Sequence, residues 1–328
     1  MPLRFRSAKI RSLLRWVFWV LLVQVLLMNI SAAFYAHKFT HFYDAPQRPG
    51  FSSPNIFSRT WKLFVGPRFY KQPGLSEPDF PVEHITLTLS NGLPIEGWYA
   101  GNDSAKGCVI LFHGISVNKS YVINEAAMFR QMGYNVLLVD FRAHGRSDGN
   151  NSTFGVEETG EVQKAFVFAQ GRGNRNIILY GVSMGAAVCL KAVAEKKVQP
   201  AALIADMPFG CLQDHMRARA RMHGFPSQPF AFLVTFWAGV ERGFNGFNHS
   251  PTAYAREVNC PVLLQWGDKD PYVSRSETES IFNNLPAQKK LAIYEGAGHE
   301  SFLNREPVQW KTQVTEFLAS CELLGIGN

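Results

Sequence analysis

The chain has 328 residues, a formal net charge of +7 at neutral pH, 46% hydrophobic and 18% charged residues, a composition that suits a globular protein with a sizeable core. Arg4, Arg6, Lys9, Arg11 and Arg15 supply five of those charges with no acid among the first fifteen residues, so the remaining body is close to balance. A nearly balanced body argues against nucleic acid as a partner, since a domain that binds it would show a basic stripe of its own.

Behind this basic tail (1–15), Trp16 to Ala36 carries no formal charge. As a helix at ~1.5 Å per residue it rises about 31 Å, enough to cross a hydrocarbon core of ~30 Å. Positive charge is denser before the segment than after it, which places the N-terminus in the cytoplasm and the body on the extracytoplasmic, periplasmic side of a single-pass membrane protein. The competing reading is a signal peptide cleaved near Ser31-Ala32-Ala33, which yields a secreted protein. A helix buried in a soluble core is the third reading, and so long an uncharged run argues against it.

Residues 37–81 contain seven prolines and many rings, among them Phe39, Phe42, Phe51, Phe57, Trp61 and Phe69. Such a segment is not one regular element. It reads as an irregular arm that packs its rings onto the body, or as a juxtamembrane collar, since aromatic rings favour the membrane interface. Within it, Trp61 to Val65 suits a short helical turn.

From residue 82 to 325, strands and helices alternate. Glu83–Ser90 and Leu93–Ala100 flank Asn91-Gly92, a hairpin signal because both residues tolerate positive φ. Six further apolar runs read as buried strands: Cys108–Phe112, Asn135–Phe141, Asn176–Tyr180, Ala201–Ala205, Pro261–Trp266 and Lys290–Tyr294. Between them, Ser120–Met132, Gly155–Gln170, Met184–Lys196, Ser276–Leu285 and Val308–Leu323 read as helices. Five cysteines (Cys108, Cys189, Cys211, Cys260 and Cys321) form no close sequence pairs and are expected to be mostly free, buried thiols. Cys108 and Cys260 both begin strands, which leaves their proximity open.

The most informative segment is Asn176 to Gly185, where an apolar strand runs into Gly181-Val-Ser183-Met-Gly185 and then an alanine-rich helix. A serine hydroxyl is a poor nucleophile unless held beside a base, and a sharp strand-to-helix turn raises it clear of the sheet. Gly181 and Gly185 leave room for that turn, and the amide of Met184 points from the helix N-terminus toward developing negative charge. Downstream, one apolar strand ends in Asp268 and Asp270 and another leads to His299, in the order Ser, Asp, His. Taken singly, each has a plainer reading: a glycine-flanked serine as a turn, a histidine after a strand as structural, an acid before Pro271 as a turn cap. Asp268 and Asp206 remain alternative acids. His113 and His144 read as structural, and no histidine spacing suggests a metal.

These motifs, with Val109-Ile-Leu-Phe-His113-Gly114-Ile115, Val139 to Gly149 and Gly267-x-x-Asp270-x-x-Val273, resemble the α/β-hydrolases over residues 82–325. The similarity is closest to serine aminopeptidase-like and monoacylglycerol-lipase-like enzymes and small membrane-anchored hydrolases. The resemblance implies an α/β-hydrolase fold: a mostly parallel eight-stranded sheet with helices on both faces and a small cap, here preceded by a transmembrane helix. It selects Asp270 as the triad acid, assigns the oxyanion hole to the amides of Ile115 and Met184, and puts the cap at about 208–259. No metal or organic cofactor is required.

The cap is rich in rings, including Phe225, Phe230, Phe232, Phe236, Trp237 and Phe247. They are expected either to line an apolar acyl pocket or merely to hold the cap in place. Arg217 and Arg221 share a helical face and suit an anionic substrate group or, more simply, solvent. The expectation is a serine hydrolase for a carboxyl ester, small or lipid-like. An aminopeptidase or acyltransferase uses the same triad, the former needing Asp214 or Glu241 to receive the substrate amine. A non-catalytic, membrane-tethered binding protein is the alternative of another class. The sequence does not fix the oligomeric state.

Overall fold

The structure, a computed structural model, describes residues 3–44, 56–72, 76–222 and 224–323. Parts of the expected arm (45–55, with Phe51, and 73–75), the last residues of the expected domain (324–325) and the side chains of Arg4 and Arg6 lie outside the described residues.

The chain opens with α1 (Leu3–Thr40), β1 (Phe42–Tyr43), α2 (Ile56–Val65) and β2 (Phe69–Tyr70). The body follows as β3 (Glu83–Thr88), β4 (Pro94–Ala100), β5 (Cys108–Phe112), α3 (Ile123–Gln131), β6 (Asn135–Val139), α4 (Thr159–Gly171), β7 (Ile177–Val182), α5 (Met184–Ala194) and β8 (Ala202–Asp206). It continues through α6 (Leu212–Met222), α7 (Phe230–Arg242), α8 (Pro251–Tyr254), β9 (Val262–Gly267), α9 (Arg275–Asn284), β10 (Lys289–Tyr294), α10 (Phe302–Arg305) and α11 (Pro307–Leu323).

Eight strands form one sheet in the order β10-β9-β8-β7-β5-β6-β4-β3. It is parallel from β10 to β6, with β4 and β3 antiparallel at one edge. Alternate residues of each strand face opposite sides, so every central strand feeds two cores. On β5, Cys108, Ile110 and Phe112 belong to the cluster built with residues of α4, α5 and α9, whereas Val109 and Leu111 belong to the one built with residues of α3 and α11, including Phe129, Trp310 and Val314. Residues buried on both faces explain why these strands read as unbroken apolar runs.

Several boundaries differ from the sequence reading for local reasons. Residues 152–158 wrap around the buried Glu158 carboxylate, which accepts from Ser152 Oγ (2.8 Å), the Thr153 amide (2.8 Å), Thr153 Oγ1 (2.7 Å) and the Gly155 amide (2.8 Å). That loop delays α4 to Thr159. In the β3–β4 hairpin only Gly92 takes positive φ (84°), while the Asn91 side chain accepts from the Leu93 amide (3.1 Å). The segment around Trp61 is a full helix and not a single turn. All five cysteines are free, and Cys108 and Cys260 are not neighbours, because β7 and β8 lie between β5 and β9.

The N-terminal helix is longer than expected, running unbroken to Thr40, and its segment Lys9–Thr40 is long and apolar enough to cross a membrane. Its environment changes along its length. Ile10, Leu14, Phe18, Leu21 and Leu27 are exposed, whereas Ala32, Tyr35, Ala36 and Phe39 are buried against α6 and α7 in a third apolar cluster. Ser31 Oγ, Tyr35 Oη and Lys38 Nζ donate to the carbonyls of Phe64 (2.6 Å), Leu63 (2.7 Å) and Gly66 (2.9 Å). They thereby supply donors to carbonyls that the C-terminal end of α2 leaves unpaired. Of the arm's rings, Phe39 and Phe42 pack on the body while Phe57 and Trp61 remain exposed.

Candidate active site

Ser183 sits between the end of β7 and the start of α5 at φ 54° and ψ −111°, a strained conformation that a non-glycine residue keeps only where its surroundings fix it. The Ser183 amide donates to the Asp206 carbonyl (2.8 Å), and its carbonyl accepts from the Ala187 amide (3.0 Å). The flanking glycines are steric necessities. A Cβ on Gly181 would lie 2.6 Å from the Ala186 nitrogen, and one on Gly185 would lie 2.5 Å from the Phe112 carbonyl oxygen.

His299, in the loop after β10, places Nε2 2.9 Å from Ser183 Oγ and Nδ1 2.6 Å from Asp270 Oδ2. The Asp270 carboxyl is fully buried, and its second oxygen accepts from the amides of Tyr272 (2.7 Å) and Val273 (3.0 Å). Two amides and an imidazole therefore fix this acid, and the network assigns the tautomer: Nδ1–H donates to Asp270, leaving Nε2 to accept from the serine. The loop carrying His299 is itself held. Asp268 accepts from the Gly296 amide (2.6 Å), Ser301 Oγ donates to the buried Glu125 (2.5 Å), and Gly267 lets β9 approach the Ala297 carbonyl closely. Burial raises the Glu125 carboxyl above the usual range.

The other two candidate acids have different partners. Asp268 faces the Gly296 turn. Asp206 lies beneath Ser183, accepting from Tyr180 Oη (2.5 Å) and Gln265 Nε2 (2.7 Å), and burial pushes it up to about 7.

Beside Ser183, the turn after β5 carries Gly114 and Ile115, and a Cβ on Gly114 would lie 3.4 Å from Ser183 Cβ. His113 Nδ1–H donates to the Gly114 carbonyl (2.7 Å) while Nε2 accepts from the Phe141 amide (3.1 Å). His144 donates to the Arg142 carbonyl (2.8 Å) and accepts from the Ser116 amide (3.2 Å). Burial lowers these two imidazoles to about 4 and about 3, so both are neutral and keep the lone pair that the arrangement uses. The buried pair Lys119–Asp140 (2.5 Å) pins the following segment, since Asp140 also accepts from the Lys119 and Arg146 amides (2.7 and 3.0 Å). Met184 begins α5 and Ile115 lines the cavity in front of Ser183.

That cavity holds about 220 Å³ and is lined by Ser183, His299, Phe69, Tyr121, His215, Arg219 and Tyr272 among others. The cap's rings do not line it. Phe225 and Phe230 stack on each other (4.7 Å between centroids) and meet Tyr35 of α1, while Phe232, Phe236 and Phe247 are exposed. The cap rings clasp the N-terminal helix and present an apolar exterior. Arg221 is exposed and Arg217 pairs with Asp214 (2.7 Å), so neither reaches the site.

Arg219 and His215 do reach it, although the sequence reading passed over them. A signal was present: Leu212, Met216 and Ala220 mark the inward face of α6, and positions 215 and 219 fall on that face at helical spacing. A larger open cleft of about 950 Å³ lies at the opposite end of the strands beside Asn135, Arg172 and Asn174, away from Ser183. Among the described residues no three His, Cys, Asp or Glu side chains are grouped to hold a metal ion.

The chain resembles known proteins in sequence and in fold. YqkD of Bacillus subtilis is 28% identical over 238 residues, covering 71% of this chain and 78% of its own. The lysophosphatidylserine lipase ABHD12 of Xenopus tropicalis is 23% identical over 210 residues, covering 60% of this chain and 52% of its own. Among solved structures, the esterase Pf2001 of Pyrococcus furiosus superposes with a TM-score of 0.62 at 23% identity, covering 76% of this chain and 98% of its own. The sequence model of the α/β hydrolase family matches residues 109–310, a span running from β5 past His299, and the chain belongs to that family.

Proposed function

We propose that the protein is a serine hydrolase that cleaves carboxyl esters by acyl transfer to water. The observation that carries this reading is the unbroken relay from Ser183 Oγ through His299 to Asp270, at 2.9 and 2.6 Å, beside a cavity that opens onto the serine. His299 takes the serine proton as Oγ attacks the carbonyl, Asp270 stabilises the imidazolium, and His299 returns the proton to the leaving alcohol. The amides of Met184 and Ile115 receive the oxyanion, each such donor being worth roughly 3 kcal/mol in the transition state. Water activated by the same histidine then releases the acid.

A peptidase reading lacks its amine receptor. Asp214 is taken by Arg217 (2.7 Å), Glu241 pairs with His37 (2.5 Å) and Arg242 (3.0 Å), and the charged side chain lining the cavity is Arg219. We expect the detergent-solubilised protein to hydrolyse p-nitrophenyl esters and to leave amino-acid p-nitroanilides uncut; faster turnover of the anilides would overturn the ester assignment. Added alcohols separate hydrolysis from acyl transfer to another acceptor, since a transferase would convert most of the acyl-enzyme to the new ester.

We further read α1 as an uncleaved membrane anchor with a cytoplasmic N-terminus. From Arg15 to Ala36 the helix rises about 31 Å, the depth of a hydrocarbon core. With Arg15 at one boundary, the other falls where Ala32, Tyr35 and Ala36 dock on the cap. The exposed Phe57 and Trp61 of α2 then sit at headgroup level, where aromatic rings are favoured. Cleavage after Ala33 would strip Met28, Ser31 and Ala32 from these contacts. The full-length chain is expected to stay with membranes washed in alkaline carbonate; recovery of a soluble chain beginning near Phe34 would sink the anchor reading.

A further inference from the structure

Three residues that line the cavity before Ser183 carry polar atoms that the protein leaves unsatisfied. Ser116 Oγ, His215 Nδ1 and Arg219 Nε are buried without a hydrogen-bond partner, and all three residues line this cavity. Buried polar atoms are rarely left so, and these three belong to residues that line one cavity beside the serine. Arg219 has no carboxylate within ion-pair distance among the described residues. Its guanidinium is boxed instead by rings, lying 4.8 Å from Phe39, 5.6 Å from Phe69 and 5.6 Å from Tyr272.

The rings cover the faces of the guanidinium and make cation–π contacts, but its N–H edge needs acceptors in the guanidinium plane. His215, one turn earlier on α6, is 3% exposed and stacks on Tyr272 at 6.0 Å. Burial beside Arg219 and His299 drives its imidazole well below its ordinary range, so it stands neutral with a donor to give. A largely buried cation without a carboxylate partner is costly unless an anion completes it. The cavity's size points the same way. About 220 Å³ falls below the ~300 Å³ at which drug-sized sites begin, so it encloses a short polar part of a substrate while a long chain runs outward.

Building on the serine-hydrolase reading, we propose that this cavity is an oxyanion-recognition subsite: Arg219, with His215 and Ser116, binds a phosphate or carboxylate carried on the ester substrate close to its scissile bond. Arg219 of the cap thereby selects anionic over neutral esters. It positions the substrate and takes no part in the proton relay.

The test compares matched ligands. Ser183→Ala protein in detergent is titrated with 1-decanoylglycerol 3-phosphate and with 1-decanoylglycerol, and in a second arm with monomethyl glutarate and methyl valerate. The anionic member of at least one pair should bind about ten- to hundredfold more tightly, as expected for charge-assisted hydrogen bonds, and the successful arm identifies phosphate or carboxylate. Adding Arg219→Gln should bring that ratio close to one, and Arg219→Lys should retain part of it. In the Ser183 enzyme the same ratio should appear in kcat/KM, chiefly through KM.

Equal binding of both members in both arms overturns the proposal. So does a loss in Arg219→Gln that falls equally on anionic and neutral ligands, which marks the residue as packing only. If ligand selectivity is present but no ester is hydrolysed, the subsite stands and the hydrolase reading falls; hydrolysis without selectivity gives the reverse result. Titration of the Arg219-intact protein decides the matter even where Arg219→Gln does not fold.

Discussion

Ser183→Ala is expected to abolish labelling by a fluorophosphonate and to lower ester turnover by roughly six orders of magnitude, and His299→Ala by a comparable factor. The reason is that the two side chains act as one unit. Ser183 Oγ lies 2.9 Å from His299 Nε2, and without that acceptor the hydroxyl keeps its proton at neutral pH and remains a poor nucleophile. The serine variant should fold normally, because the strained backbone at residue 183 is held by the Asp206 carbonyl and the Ala187 amide and does not depend on the hydroxyl. The His299 variant is separately informative, since the histidine loop has its own anchors at Asp268 and Ser301. Retained thermal unfolding with lost labelling in both variants establishes an activated serine. Folded wild type that resists the probe and turns over no ester returns the chain to the alternative of a tethered binding protein.

The sequence made the sheet legible because the strands around β7 are buried on both sides, so burial wrote itself as unbroken apolar runs. The elbow was legible for a stronger reason: at Gly181 and Gly185 a Cβ would strike backbone, and no side chain can substitute. Helix starts were less legible, as at residues 152–158, where a buried carboxylate organises the loop from outside the helical pattern.

The cap was least legible. Its rings suited an acyl pocket as well as they suited a docking face, because hydrophobicity does not say which apolar surface a ring will meet. The answer depends on where α1 ends, and that helix continues past its apolar segment to place Phe39 as well as Tyr35 among them. The same ambiguity hid Arg219. The cationic pair at 217 and 221 stands out by charge, whereas burial follows the Leu212, Met216 and Ala220 stripe, and the arginine between the two is the one that turns inward.

Asp270→Asn is expected to reduce turnover by about four orders of magnitude with the fold intact, and Asp268→Asn to leave activity within about tenfold. Asp270 Oδ1 accepts from the Tyr272 and Val273 amides at 2.7 and 3.0 Å. In the variant the asparagine carbonyl takes that place and its NH₂ turns to His299. A donor opposite Nδ1 selects the tautomer protonated on Nε2, which then points N–H at Ser183 and has no lone pair with which to accept its proton. The loss therefore arises from the wrong tautomer and not from a misplaced ring. Asp268 accepts from the Gly296 amide at 2.6 Å and lies beside the exposed Lys269, so its amide variant weakens a turn without touching the relay. Steady-state kinetics on both variants, with unfolding temperatures alongside, distinguish the two acids. A collapse in Asp268→Asn matching that in Asp270→Asn, or near-normal turnover in Asp270→Asn, would reject the assignment of Asp270 as the residue that orients His299.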